Sequence, residues 1–561
     1  MRKLLFIAVP ALALWSLNVM ACTNFLVTPG ASLNGSAMIT YAADSHVLYG
    51  ELYYRPAADY PPGTLVDIYE WDTNKFLGRI PQLSHTYSVV GNMNEHQVAI
   101  GETTYGGRPE LHDSTGIIDY GSLIYITLQR ARTAREAVNI MGELVAEYGY
   151  CSSGESFSIA DPNEVWILEL IGKGTEMVTV DGKTYNRNKG AVWVAVKIPD
   201  GYVSGHANQA RIQQFPLDDP ENCLYAPDVI SFAREKGYYE GVDSAFSFSD
   251  TYAPVDFSGA RFCDMRVWSF FKDINDNMEQ YFDYVKGEDL ENRMPLYIKP
   301  NRKISRKDMM NFMRDHLEGT ELDMSKDAGA LPFGLPYRWR PLEWEYNGKT
   351  YLNERTTATQ QTGFSFVAEC RPVKPDWLGG ILWFGVDDAA ATTYVPMYCG
   401  MTRVPESYAV GNGDLLTYSE TSAFWTFSFV SNFSYLRYNV MIEDVRKVQS
   451  ELEEKYITEV SAIDAAATVL NETNPELARE FITNYSVNMG NYTVKRYKEL
   501  GNYLLVKYID GNIKKEKDGQ FLRNAYGYPA GPDQPGYPEK WKAIVVKDDG
   551  KNLRVPKSAS H

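Results

Sequence analysis

Cys22 follows Ala21 at the end of an apolar leader, and no other placement in the 561-residue chain carries as much chemistry. Cleavage of the Ala21–Cys22 bond would leave one residue bearing both a thiol and a free α-amine. A thiolate is a strong nucleophile, and an α-amine titrates near pH ~7.7–8.0, so it can take the thiol's proton in neutral solution. Together they suffice to open an amide through an acyl-enzyme. Competing chemistries lack their residues. The seven histidines form neither H-E-x-x-H nor any i,i+4 pair. Asp273-Ile-Asn-Asp-Asn277 opens like a calcium loop, but Met278 and Tyr284 stand where its glycine and closing glutamate belong. There is no Walker loop, and Gly154-Glu-Ser-Phe-Ser158 ends in serine where a nucleophile elbow needs glycine. No metal and no organic cofactor is expected. A conventional pair of Cys22 with a histidine such as His206 stays open as an alternative.

The residues before Cys22 have the layout of a secretory signal: basic Arg2 and Lys3, an apolar core from Leu4 to Leu17, and a small residue at Ala21. Residues 1–21 are therefore set apart from the fold, and export to the periplasm or medium is expected. Val19-Met20-Ala21-Cys22 also resembles a bacterial lipobox, in which the sulfur would carry a lipid and anchor the protein to a membrane. The net charge of −17 and pI of about 5.0 argue against nucleic acid and anionic membrane as partners. No stretch beyond the leader is long and apolar enough to span a bilayer. Six cysteines without C-x-x-C spacing form neither a disulfide scaffold nor a zinc site. A homo-oligomer stays open.

The nucleophile needs a scaffold, and the pattern supplies one of the α+β class. Two β-rich runs around Pro29-Gly30 and Asn34-Gly35 predict a strand–turn–strand, with Cys22 at its start and Asp44 returning beside it. A hairpin is expected around the turn Asn92–Gln97. Thr133 and Glu136 form a capping box for a helix over Ala134–Tyr148, and a helical stretch precedes it from Tyr120. A second hairpin is expected over 156–170 and a strand over 192–198, a succession that fits layered helices and antiparallel sheets. Residues 48–80, rich in Tyr and Pro, read as an extended insertion or loops. Strand signals return at 364–367, 380–386 and 393–396. Tyr435–Tyr456 reads as a long amphipathic helix, and the pattern continues helical over 462–470, 475–485 and 492–503. The tail from Asp510 reads as weakly ordered or β-like. The division expected is 1–21 as signal, 22–434 as catalytic domain and 435–561 as a helical extension with its tail.

Cys22-Thr-Asn-Phe-Leu-Val, Asp44-Ser45, Gly91-Asn-Met-Asn-Glu95, Ala160-Asp-Pro-Asn-Glu-Val-Trp166, Val203-Ser-Gly-His-Ala-Asn208 and Arg261-Phe-Cys-Asp-Met-Arg-Val-Trp268 occur in that order. The series resembles the C69 family of dipeptidases, N-terminal nucleophile (Ntn) hydrolases related to penicillin V acylase and bile salt hydrolase, over roughly residues 22–450. The resemblance implies a four-layer αββα sandwich and hydrolysis of dipeptides or short peptides, with a non-peptide acyl amide as the alternative substrate. It implies Cys22 as nucleophile and Asp44 as the residue holding its amine. It further implies Asn208 in the oxyanion hole and Arg266 near the nucleophile, tuning its charge. Two departures stand out. The family's Arg-Asn-x-Asp reads Tyr41-Ala42-Ala43-Asp44 here, which removes a cation and brings Tyr41 forward as a substrate contact. Where related acylases carry an asparagine, this chain reads Gly101-Glu-Thr-Thr104, so Thr103 is the expected stand-in.

Overall fold

The computed structural model describes residues 22–556; the leader lies outside them. In chain order the main strands are β1 (Asn24–Val27), β2 (Ala37–Asp44), β3 (Tyr54–Arg55), β4 (Val89–Val90), β5 (Met93–Asn94), β6 (Ala99–Gly106), β7 (Gly154–Ala160), β8 (Val165–Gly172), β9 (Ala191–Lys197), β10 (Val203–His206), β11 (Cys223–Tyr225), β12 (Tyr297–Ile298), β13 (Thr362–Cys370), β14 (Gly380–Val386) and β15 (Val395–Tyr398). The main helices are α1 (Tyr120–Leu128), α2 (Ala134–Tyr148), α3 (Met265–Lys272), α4 (Ala423–Tyr435), α5 (Tyr438–Thr473), α6 (Pro475–Tyr508) and α7 (Glu539–Leu553).

Two antiparallel sheets form the centre. One runs β12-β10-β1-β2-β13-β14-β15 and the other β11-β9-β8-β7-β6-β5-β4-β3. They meet face to face where β2 packs on β6 and β7, and α1 and α2 cover the second sheet. Helices α3, α4 and α6 pack on the first sheet, and the apolar residues of α4, α5 and α6 join the same core as β1, β2 and β13. Strand β13 is buried at every position, which fits its small and apolar residues; its one charged residue, Glu369, pairs with Arg306.

The sheets approach each other closely at Gly101 on β6. A Cβ there would stand 2.3 Å from Asn24 Oδ1 and 3.2 Å from Tyr41 Cβ. The missing side chain lets Asn24 cross the gap and donate to the Glu102 carbonyl at 2.5 Å. It also lets Tyr41 reach the Glu102 carboxyl.

Several expectations are met and several need correction. Helix α2 has the bounds expected for it, and the Thr133 hydroxyl accepts from Glu136 N at 3.1 Å. Its capping box is incomplete, because the Glu136 carboxylate accepts from Arg132 N at 2.7 Å rather than from Thr133. Residues 48–80 are not all loop. Leu65–Tyr69 and Phe76–Pro81 pair as a hairpin that buries Ile68 and Ile80. The helical stretches of the C-terminal region form two helices of 36 and 34 residues. Gly490 sits inside α6, where a Cβ would meet Pro405 Cγ at 2.6 Å. The tail is not simply β-like: it carries α7, all of whose residues are solvent-facing or partly so.

Gly101→Ala is expected to cost about 1–3 kcal/mol, the usual penalty for forcing atoms into a close-packed interface. Denaturant unfolding of the variant checks this, and wild-type stability would contradict the close approach.

Candidate active site

Cys22 is fully buried at the entry to β1. Thr23 and Ala42 exchange backbone hydrogen bonds of 3.3 and 3.0 Å, so the start of β1 lies against the end of β2 and Asp44 comes up beside Cys22. Cys22 Sγ is 3.6 Å from Glu102 Oε1 and 3.9 Å from the Tyr41 hydroxyl. Burial pushes the thiol well above its ordinary range, and the carboxyls of Glu102 and Asp44 push it further. Hydrogen bonds with the Asp44 backbone and Tyr41 oppose this. At rest the sulfur is therefore a thiol, and attack requires a base to take its proton.

Asp44 is fully buried. Arg355 Nη2 donates to its Oδ2 at 2.5 Å and Thr362 Oγ1 to its Oδ1 at 2.6 Å. Burial raises the carboxyl's pKa, and the Arg355 guanidinium is the strongest opposing influence. The cation missing from the Tyr41-Ala42-Ala43-Asp44 motif is thus supplied from a segment 311 residues away.

Arg266, on α3, binds Cys22 through its carbonyl. Its Nη1 donates to Cys22 O at 2.6 Å and Thr23 Oγ1 at 2.7 Å. Its Nη2 donates to Ala207 O at 3.1 Å and Asn208 Oδ1 at 2.9 Å, and its Nε to Phe262 O at 2.9 Å. Burial, and then Arg355, lower its pKa to about 10, so it stays charged at neutral pH. Asn208 has a φ of +61°, a conformation asparagine tolerates better than most residues. Its Nδ2 donates to Thr104 O at 2.7 Å.

The structure brings Cys22, Asp44, Asn208 and Arg266 together and gives Tyr41 and Thr103 other partners. Tyr41 donates to Glu102 Oε1. Thr103 Oγ1 bonds His206 Nδ1 at 2.7 Å, and Ser158 Oγ bonds the other ring nitrogen at 2.7 Å. Burial lowers the His206 pKa to about 3, with Arg211 adding to the effect. That neutral ring is occupied by two hydroxyls, so it does not serve Cys22 as a base. The residues that sequence reasoning missed are Arg355, Glu102 and Glu155. The two glutamates lie in strands β6 and β7, fully buried; burial raises both pKa values, Glu102 raises that of Glu155 further, and the hydrogen bond with Glu155 draws that of Glu102 back down. Glu155, Thr104, Asn208 and Tyr120 line a cavity of about 680 Å³.

The family model for peptidase family C69 matches residues 21–451. The chain belongs to peptidase family C69. Similar C69 relatives include a probable dipeptidase of Salmonella dublin, 24% identical over 423 residues, covering 72% of this chain and 86% of that one. A probable dipeptidase of Latilactobacillus sakei is 24% identical and covers 70% and 77%. Probable dipeptidase B of Streptococcus pyogenes serotype M1 is 21% identical and covers 89% and 93%. Among solved structures, penicillin V acylase from Agrobacterium tumefaciens is similar over 30% of this chain and 50% of its own, with 15% identity and a TM-score of 0.19.

In this C69 peptidase Arg355→Met would strand the Asp44 carboxyl without its counter-ion. A loss of about 3–5 kcal/mol is expected, since breaking a buried pair leaves one charge uncompensated. The double variant with Asp44→Asn should recover much of it. Denaturant unfolding checks both, and equal losses in the single and double variants would contradict the pairing.

Proposed function

We propose that this C69 peptidase is an exported Ntn-hydrolase that cleaves dipeptides or short peptides through an acyl-enzyme on Cys22. In this reading the two sheets and their helical covers form the four-layer αββα sandwich, with 435–561 as a helical extension of a catalytic unit over 22–434. The observation that carries the proposal is the convergence on Cys22: a buried thiol whose own carbonyl is clamped by Arg266, flanked by Asp44 and Glu102, at the entry to the first strand.

The mechanism follows from the thiol's raised pKa. Once residues 1–21 are removed, the Cys22 α-amine takes the Sγ proton as sulfur attacks the peptide carbonyl. Asp44, held by Arg355 and Thr362, stabilises the resulting ammonium. Asn208 is the assigned donor to the oxyanion; its orientation by Arg266 and by Thr104 O supports that role. The ammonium then returns its proton to the leaving amine, and water hydrolyses the thioester with the same amine as base. An amide-bonded Cys22 nitrogen could not act in this way, so the leader doubles as a safety cap.

Cys22→Ala should lower kcat/KM on a dipeptide panel by at least about 1,000-fold with an unchanged circular dichroism spectrum. Asp44→Asn should lower kcat by on the order of 100-fold with little change in KM, as expected for a charge that appears only during reaction. Substantial turnover by the Cys22 variant sinks the assignment, and a pure KM effect at Asp44 reassigns it to substrate binding.

A further inference from the structure

The two glutamates beside the nucleophile have no counter-charge. Glu102 and Glu155 are fully buried, yet among the described residues no lysine, arginine or histidine forms an ion pair with either. Glu102 Oε1 accepts from Tyr41, and Glu155 Oε1 accepts from Thr104 Oγ1 at 2.8 Å. The Oε2 atoms of both receive no hydrogen bond from a described residue. The carboxyls lie within reach of each other, so the bond open to them is one shared proton. Asp72 and Tyr120 stand nearby and supply no positive charge. A buried carboxyl pair of this kind is costly to keep, and it faces both reaction and substrate: Glu102 touches Cys22 Sγ, and Glu155 lines the cavity.

We propose that the carboxyls of Glu102 and Glu155 form the subsite for the α-ammonium group of the peptide's first residue, so that the substrate must carry a free amino terminus. The inference rests on Cys22 as the nucleophile, because that fixes where the ammonium lies. In the residue whose carbonyl is attacked, the α-nitrogen is two bonds from the carbonyl carbon, about 2.5 Å through space. Sulfur bonding to that carbon brings the ammonium to the place where Glu102 Oε1 stands, 3.6 Å from Sγ. A peptide entering through the cavity delivers its positive end first, past Glu155. The substrate then supplies the cation that the fold withholds, and a peptide cut in its middle would present a neutral amide to two carboxyls instead.

The test compares Ala-Ala with propionyl-Ala, which lacks only the ammonium. The wild-type protein, processed to Cys22, should favour Ala-Ala in kcat/KM by about 100-fold or more, the scale on which a site rejects a partner that leaves buried polar groups unmatched. Glu155→Gln should shrink that ratio by about tenfold or more, by losing Ala-Ala while propionyl-Ala holds within a few fold. It is isosteric, and circular dichroism verifies folding. Equal use of both substrates by the wild type overturns the proposal. So does an equal loss on both in the variant, which would mean that the carboxyl pair serves Cys22 itself rather than the substrate. Calorimetric binding of both compounds to the Cys22→Ala protein separates this inference from the reading beneath it. If the wild type hydrolyses neither compound but Ala-Ala binds in preference to propionyl-Ala, and Glu155→Gln removes the preference, the peptidase reading fails and the subsite stands. Binding without preference overturns the subsite.

Discussion

One buried guanidinium holds the site in register. All five donors of Arg266 are engaged, on Phe262, Cys22, Thr23, Ala207 and Asn208, which is the full capacity of an arginine side chain. Those acceptors come from the start of β1, the residues just beyond β10, and the turn leading into α3. The interaction therefore fixes the backbone of Cys22 to Asn208 across from it. It acts on the carbonyl of Cys22, and so positions the residue while leaving the sulfur to its other neighbours.

Those neighbours are acidic. Glu102 and Asp44 both disfavour a thiolate, and burial disfavours it more. A peptidase built on a preformed thiolate would be arranged in the opposite way, with a cation or an imidazolium at the sulfur. Here the histidine within the same layer, His206, is neutral and bonded to Thr103 and Ser158. The arrangement suits a thiol that loses its proton only as it attacks, to a base carried on the same residue. The two arginines near the site serve structure: Arg266 grips carbonyls and Arg355 neutralises Asp44.

The sequence was most legible where the signal is local. Thr133 and Glu136 mark the start of α2, Pro29-Gly30 and Asn34-Gly35 mark the turn between β1 and β2, and Cys22 stands out by following Ala21. Asn208 and Arg266 were legible only through ordered motif fragments, because their meeting is tertiary. Arg355 was not legible at all: its partner Asp44 lies far away in the chain, and a lone arginine before a strand looks like a surface charge. Glu102 was overlooked in favour of Thr103, although period-2 alternation places the two on opposite sides of β6. The signal that could have found it is a glutamate in the interior of a strand whose neighbours are otherwise small and apolar, repeated by Glu155 in the strand alongside.

The central claim is that Cys22 works as a free amino-terminal residue, with its amine and thiol both unmodified. Intact mass spectrometry of protein purified from its native envelope or medium tests this most directly. The account predicts a mass that begins at Cys22, with residues 1–21 lost and nothing added. A mass that retains any residue before Cys22, or that carries a lipid on it, would contradict the account, since either change removes the base or the nucleophile.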